Sequence, residues 1–249
     1  MWFGVVSLFP EMFASLNYGM TGRAIKQGLL ELAYWNPREF ADNPQKRIDD
    51  RPYGGGPGMV MQAPPLMAAV RAAKQRHPGA LVIYMSPQGQ PLTQAILKHI
   101  AEQSAWIIIA GRYEGVDQRF IDTEINVEYS LGDYVLTGGE LAAMVLIDGV
   151  TRLLPKVLGN ETSAQHDSFF EPSLLDHPHY TRPYRLDNQP VPEVLLSGDH
   201  QKIRRWRLQQ ALGQTWLRRP DLLEKLFLDE ERMLLLAEFI RDYKSTPSC

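Results

Sequence analysis

Four glycine-bearing segments hold most of the residues from which a ligand site could be built. They are YGGGPGM (53–59), SPQGQPL (86–92), AGRYEGVD (110–117) and SLGDYVLTGGE (130–140). Glycine permits positive φ and lets the backbone approach a ligand closely. A second feature is the stretch 200–219, HQKIRRWRLQQALGQTWLRR, which holds Lys202, Arg204, Arg205, Arg207, Arg218 and Arg219, no acid, and Trp206 and Trp216 between them. Arginines neutralise phosphates and indoles can stack on splayed bases, so this run has the chemistry of a nucleic-acid contact. The same run also reads as a solvated helix face, with the tryptophans, at helical spacing from Ile203, Leu208 and Leu212, turned to a core. His177-Pro178-His179 is a close histidine pair. With no cysteine or acid-rich context, it predicts no metal site.

Standard motifs are missing. YGGGPGM lacks the Lys-Ser/Thr of a phosphate-cradling loop, no G-x-G-x-x-G follows a strand, and no G-x-S-x-G elbow marks a serine hydrolase.

The elements that must carry these loops follow from hydrophobic period. Strands are predicted at 2–9, 81–86, 106–110 and 125–129. Helices are predicted at 21–30, 65–76, 92–103, 118–122 and 138–153. Thr137-Gly-Gly-Glu140 matches a capping box, with Glu140 reaching back to the cap amide. Alternating strands and helices predict an α/β fold with a largely parallel sheet. Three of the glycine loops then leave strand ends, where such sheets bind ligands. Residues 160–192 are polar, with prolines at 172, 178, 183, 190 and 192, and read as a linker that orders when ligands arrive. Two helices follow, 198–217 and 222–243, broken at Pro220. The predicted layout is an α/β domain (1–159), a linker (160–176) and a small all-helical domain (177–249).

The chain has 249 residues, 44% hydrophobic and 22% charged, with net charge −3, the composition of an ordinary globular protein. That charge gives no general attraction to nucleic acid, so the basic run would act as one local surface. The lone cysteine, Cys249, allows no internal disulfide and fits a reducing, cytoplasmic setting. The apolar start MWFGVVSLFPE lacks a basic leader and reads as a strand.

SPQGQPL, AGRYEGVDQRFID, EYSLGDYVLTGGELAAMVLIDGVTRLLP, DSF and HPHYTRP resemble, in that order, the TrmD-type tRNA (guanine-37-N(1))-methyltransferases. RPYGGGPGMVM and SGDHQKIRRWRLQQALGQTWLRRPDLL extend the likeness over nearly the whole chain. The resemblance implies a SPOUT-superfamily enzyme with a trefoil knot, a rarity among folds. It further implies S-adenosylmethionine as methyl donor and a homodimer whose active sites are shared between subunits. It leaves room for a magnesium ion to assist. By motif match, donor contacts fall on Tyr84, Ser86, Pro87, Gly111, Tyr113, Glu114, Leu131, Gly132, Asp133, Tyr134, Val135, Leu136, Gly138 and Gly139. The general base falls on Asp167 and its assisting arginine on Arg152. Contacts with tRNA fall on Asp176, Arg182, Arg204, Arg205 and Arg207. The spacing from Asp167 to Asp176 is one residue longer than is usual in the family.

The chemistry implied is coherent. The ring nitrogen of neutral guanine carries a proton that must leave as the methyl arrives, which calls for a base within hydrogen-bond reach. A carboxylate is a far weaker base than that nitrogen, so removal must be coupled to transfer or helped electrostatically. An arginine facing the guanine oxygen supplies that help. Residue type alone leaves other readings open: Asp167 as a turn residue, Arg152 as a cation at a helix end. At the level of function, a ribose 2′-O-methyltransferase and a non-catalytic RNA-binding module are the alternatives.

Overall fold

The segments 2–6, 81–85 and 105–109 carry no charged or amide side chain, which a strand tolerates when helices cover both faces of its sheet. The computed structural model, which describes residues 1–158, 167–170 and 174–245, has that arrangement. The chain divides into two compact units, Met1–Gly159 and Asn160–Cys249.

In the first unit, β1 (Trp2–Val6) leads through a 3-10 helix (Pro10–Asn17) and α1 (Gly19–Lys26) to β2 (Glu31–Trp35). A two-residue ribbon, β3 (Asp49–Asp50) with β4 (Val60–Met61), precedes α2 (Ala63–Arg76). Then come β5 (Leu81–Pro91), α3 (Gln94–Ala101), β6 (Ala105–Ile109), α4 (Gln118–Glu124), β7 (Val127–Ser130) and α5 (Glu140–Thr151). The sheet order is β2-β1-β6-β5-β7, and all neighbours are parallel.

The period of two sorts the core into two layers. Phe3, Val5, Ile83, Met85, Trp106 and Ile108 face one side, where they meet Ala24, Ile100 and Leu146 of α1, α3 and α5. Their neighbours Trp2, Val6, Val82, Tyr84, Ile107 and Ile109 face the other, against Leu66, Val70 and Phe120 of α2 and α4.

β5 pairs with β7 in two stretches, Ile83 to Met85 and then Gln90 to Pro91, with a register shift between them. The residues between, Ser86 to Gly89, are thrown out of the ladder as a bulge of the kind that re-aims side chains. The SPQG segment thus stands beside the carboxyl ends of β6 and β7.

In the second unit, α6 (His200–Arg218), α7 (Pro220–Leu223) and α8 (Glu230–Ser245) close on a small leucine core of Leu174, Leu212 and Leu235. Before them lies a short antiparallel ribbon, β8 (Arg185–Leu186) with β9 (Gln189–Pro190), which the all-helical expectation for 177–249 did not include. Asp199 caps α6, its Oδ1 accepting from the amides of Gln201 and Lys202.

The sequence reading needs four adjustments. Helix 21–30 ends at Lys26, and Gly28 at φ 71° turns the chain into the edge strand β2, which the pattern did not single out. Helix 222–243 is two helices: Asp229 starts the second, accepting the Arg232 amide on its side chain. Pro220 begins α7 at its first turn, where its missing N–H costs nothing. The capping box does not form; Gly139 is the cap residue and Glu140 points into the protein. Most of the predicted linker, 160–166 and 171–173, lies outside the described residues, as does Cys249.

Candidate active site

The bulge within β5 and the loops after β6 and β7 surround one cleft of about 200 Å³. Tyr84, Ser86, Pro87, Gly111, Tyr113, Glu114, Leu131, Gly132, Tyr134, Val135, Leu136, Gly138 and Gly139 line it; of the expected donor contacts, Asp133 does not. Met85, Arg112, Gly115, Tyr129, Ser130 and Ala142 complete the wall.

Local contacts explain how loops distant in sequence come to share it. The Gly139 amide donates to the Gly111 carbonyl at 2.8 Å, and Arg112 and Gly138 form an antiparallel bridge. A Cβ on Gly139 would stand 2.8 Å from Ala110 Cα, so no larger residue fits this approach. The end of the YGGGPGM segment and β4 after it lie outside the cleft wall and bond to the AGRYEGVD loop. The Glu114 amide donates to the Met59 carbonyl, the Met61 amide to Gly115, and the Asp117 amide to Met61. Gly58, at φ 80°, yields its side-chain space to Glu114, whose Cγ lies 2.4 Å from where a Cβ would stand.

Tyr84 is a buried residue of the cleft wall. Burial first, then the charge of Glu128 across the β5–β7 pair, pushes its pKa up to about 12. The phenol is therefore a neutral hydrogen-bonding group at any ordinary pH. Tyr113 holds a left-handed backbone, φ 63°, which sets its ring at the cleft edge.

Sequence reasoning missed the device that ties the two principal loops together. Arg112 donates from Nε to Glu140 Oε2 at 2.9 Å and from Nη1 to the Thr137 carbonyl. Ser7 Oγ donates to Glu140 Oε1, also at 2.9 Å. The Arg112 guanidinium lies 4.7 Å over the Phe9 ring. The signal was present: an acid inside an otherwise apolar helix start, ELAAMVLI, either caps or pairs.

Arg152 is the cap residue just past the carboxyl end of α5, its amide bonded to the Asp148 carbonyl. The remaining expected residues belong to the second unit. Asp167 begins a turn whose Phe170 amide donates to the Asp167 carbonyl. Ser168 Oγ accepts from the Asp176 amide, so the turn and the 174–176 segment are held together. Asp176 also pairs with His179 through Oδ2 and Nε2 at 2.9 Å. Arg182, Arg204, Arg205 and Arg207 are exposed. Arg205 is engaged by Glu238 of α8 in a two-contact pair at 2.8 and 2.9 Å, which holds the Glu238 carboxyl below its usual pKa. Trp206 and Trp216 are half-buried among aromatics, Trp206 beside His177 and Tyr180, Trp216 edge-on to Tyr243.

A parallel sheet with glycine loops gathered in one cleft at its carboxyl ends defines an α/β protein built to hold a small organic ligand. Comparison with known proteins places it more closely. Residues 1–225 match the family described as tRNA (Guanine-1)-methyltransferase TrmD, and the chain belongs to that family. It is 57% identical over 248 residues to a tRNA (guanine-N(1)-)-methyltransferase of Aeromonas salmonicida, covering 99% of each chain. It is 58% identical over 246 residues to the protein of that name from Yersinia enterocolitica, covering 98% of this chain and all of the relative. The corresponding figure for Marinomonas sp. is 57% over 245 residues, 98% of each chain.

Proposed function

We propose that this protein is an enzyme that transfers a methyl group from S-adenosylmethionine to N(1) of guanine at position 37 of tRNA. Family membership over most of the chain and relatives named for guanine-N(1) methylation support the reaction. The single structural observation that carries it is the cleft, whose lining suits such a donor. Bare backbone at Gly111, Gly132 and Gly138, with Leu131, Val135 and Leu136, suits an adenosine. Glu114, the cleft acid packed against Gly58, suits the donor's ammonium group. The donor, when bound, supplies an electrophilic methyl on a sulfonium.

The chain's own residues do the rest. Asp167 takes the guanine N(1) proton as the methyl arrives, because the nitrogen lone pair is otherwise unavailable. Arg152, permanently charged, faces the guanine oxygen and stabilises the negative charge that develops there. Asp176 and Arg182 position the base, while Arg204 and Arg207 take phosphates; Arg205, tied to Glu238, contributes less than its charge suggests. The first unit is then the knotted SPOUT donor domain and the second the tRNA-binding domain. The interlocking of 138–139 with 110–112 supports the knot.

A homodimer with shared sites fits an exposed apolar face: Leu141 and Val145, one turn apart on α5, are 49% and 51% exposed. Magnesium, if it assists, would need a carboxylate, and Glu114 is the acid in the cleft wall. Among the described residues no helix is long and apolar enough to cross a membrane. The single cysteine suits a reducing cytoplasm.

The test is direct. The full chain is incubated with methyl-labelled donor and bulk tRNA, and the digested nucleosides are identified. Label in N(1)-methylguanosine supports the proposal; label in a 2′-O-methylated nucleoside, or none, overturns it.

A further inference from the structure

The segment 174–179 is anchored at both ends of its first half. Leu174 is buried in the second unit's core, and the Leu175 amide donates to Thr215 Oγ1 of α6 at 2.9 Å. The Asp176 amide is fixed on Ser168, and Asp176 Oδ1 accepts the His177 amide at 2.7 Å. This backbone brings three side chains together: Asp176, His177 and His179 each offer a ligand atom, and these atoms lie within 4.8 Å of one another.

We propose that Asp176, His177 and His179 form a binding site for a divalent transition-metal ion of the zinc type. Donor chemistry selects the ion: two imidazoles and one carboxylate suit zinc, cobalt or nickel, whereas magnesium and calcium demand oxygen ligands. The spacing is close to that of a metal shell. Tetrahedral bonds of about 2.0 Å set ligand atoms roughly 3.3 Å apart. Here His179 Nε2 stands 2.9 Å from Asp176 Oδ2, while His177 Nε2 stands 3.8 Å from the other carboxylate oxygen, Oδ1. One ligand atom from each residue falls within 4.8 Å of the others, so taking up an ion requires the side chains to close inward.

The outer contacts also fit. His177 Nδ1 is 3.2 Å from the Pro178 carbonyl. With the proton on Nδ1 donated there, Nε2 keeps its lone pair for a metal, the usual device for fixing a ligating imidazole. Asp176 and His177 are 24% and 15% exposed and His179 is 72% exposed, so an ion has a way in and water can fill the remaining position. Arg207, whose charge acts on His177, opposes the ion; the Asp176 carboxylate favours it. Bound there, the ion would brace 176–179 beside Trp206 of α6. It would compete for the carboxylate assigned above to guanine, but its binding is measured without RNA and stands apart from that assignment.

Cobalt(II) reports coordination by its visible spectrum. The full chain carrying Cys249→Ser, which removes a rival thiol, is titrated with cobalt(II) and back-titrated with zinc. The expected result is an intense four-coordinate spectrum that saturates at one equivalent and vanishes on adding zinc. It should be lost in His177→Gln and weakened at least tenfold in affinity in Asp176→Asn, with helical circular dichroism unchanged in both. His99→Gln, which alters an exposed histidine of the first unit, should leave it intact. Absence of the spectrum, or its persistence in a His177→Gln/His179→Gln double variant, overturns the proposal. A variant that loses its helical signal is replaced by His179→Gln alone, whose exposed side chain supports no core.

Discussion

Arg112 and Glu140 meet at 2.9 Å in a pair whose acid is 1% exposed and whose guanidinium is 18% exposed. The pair joins the AGRYEGVD loop to the start of α5, and Ser7 extends it to the end of β1. Glu140 does not line the cleft, yet it fixes the arginine that does. Glu140→Gln keeps the shape and removes the charge. Hydrogen bonds to charged groups contribute about 1.5–3 kcal/mol, so the first unit should lose about 2 kcal/mol and melt roughly 4–8 °C lower. Donor affinity should fall with it. Thermal unfolding and calorimetric donor titration check both; an unchanged melting temperature would mean the pair holds nothing together.

Gly139→Ala tests the contact between loops without altering charge. Its Cβ would meet backbone atoms of Ala110 and Gly111 at 2.8 and 3.0 Å, which cannot move aside as a flexible side chain would. Overpacking costs about 1–3 kcal/mol, so donor binding should weaken about tenfold or more. Equal affinity in the variant would show that the loops tolerate separation.

Much of this was legible in the residues. The doubly covered strands announce themselves by continuous apolar runs, and the glycine loops by position after them. What was not legible follows from pairing at a distance. β2 escaped notice because ELAYW is an edge strand, half exposed, and its partner lies in β1. Glu140 looked like a cap because Ser7, 133 residues away, and Arg112 cannot be seen from its neighbours in sequence. Arg205 looked like a phosphate ligand for the same reason, since Glu238 sits on another helix. The resemblance to a family pointed to most of the residues that line the cleft, but the backbone approach that gathers them belongs to the three-dimensional structure.

The basic helix should divide its labour. Arg207→Ala should reduce the slope of log K against log salt for tRNA binding by about one, as expected for one lost phosphate contact. Arg205→Ala should change that slope less and instead loosen the contact between α6 and α8, because Glu238 loses its partner. Binding isotherms at several salt concentrations decide this, and equal slope changes for the two variants would contradict it.

Tyr84 gives a pH prediction. Its phenol is held at about 12 in the folded protein, against 10.0 for the free group, so the fold favours the neutral form. The stability this confers is fully present below about pH 10 and is lost as pH rises toward 12. Tyr84→Phe should therefore flatten the fall in stability over that window while leaving neutral pH little changed. Denaturant unfolding between pH 9 and 12 measures it, and parallel curves for the two proteins would refute the assignment.

The central claim is that the donor is held in the first unit while Asp167, in the second, removes the guanine proton. Single-turnover methyl transfer by wild type and Asp167→Ala, with donor affinity measured in parallel, tests it most directly. The predicted result is N(1)-methylguanosine from wild type, a rate lower by about 10²-fold or more in the variant, and nearly equal donor affinity. A variant that forms N(1)-methylguanosine at close to the wild-type rate would contradict it.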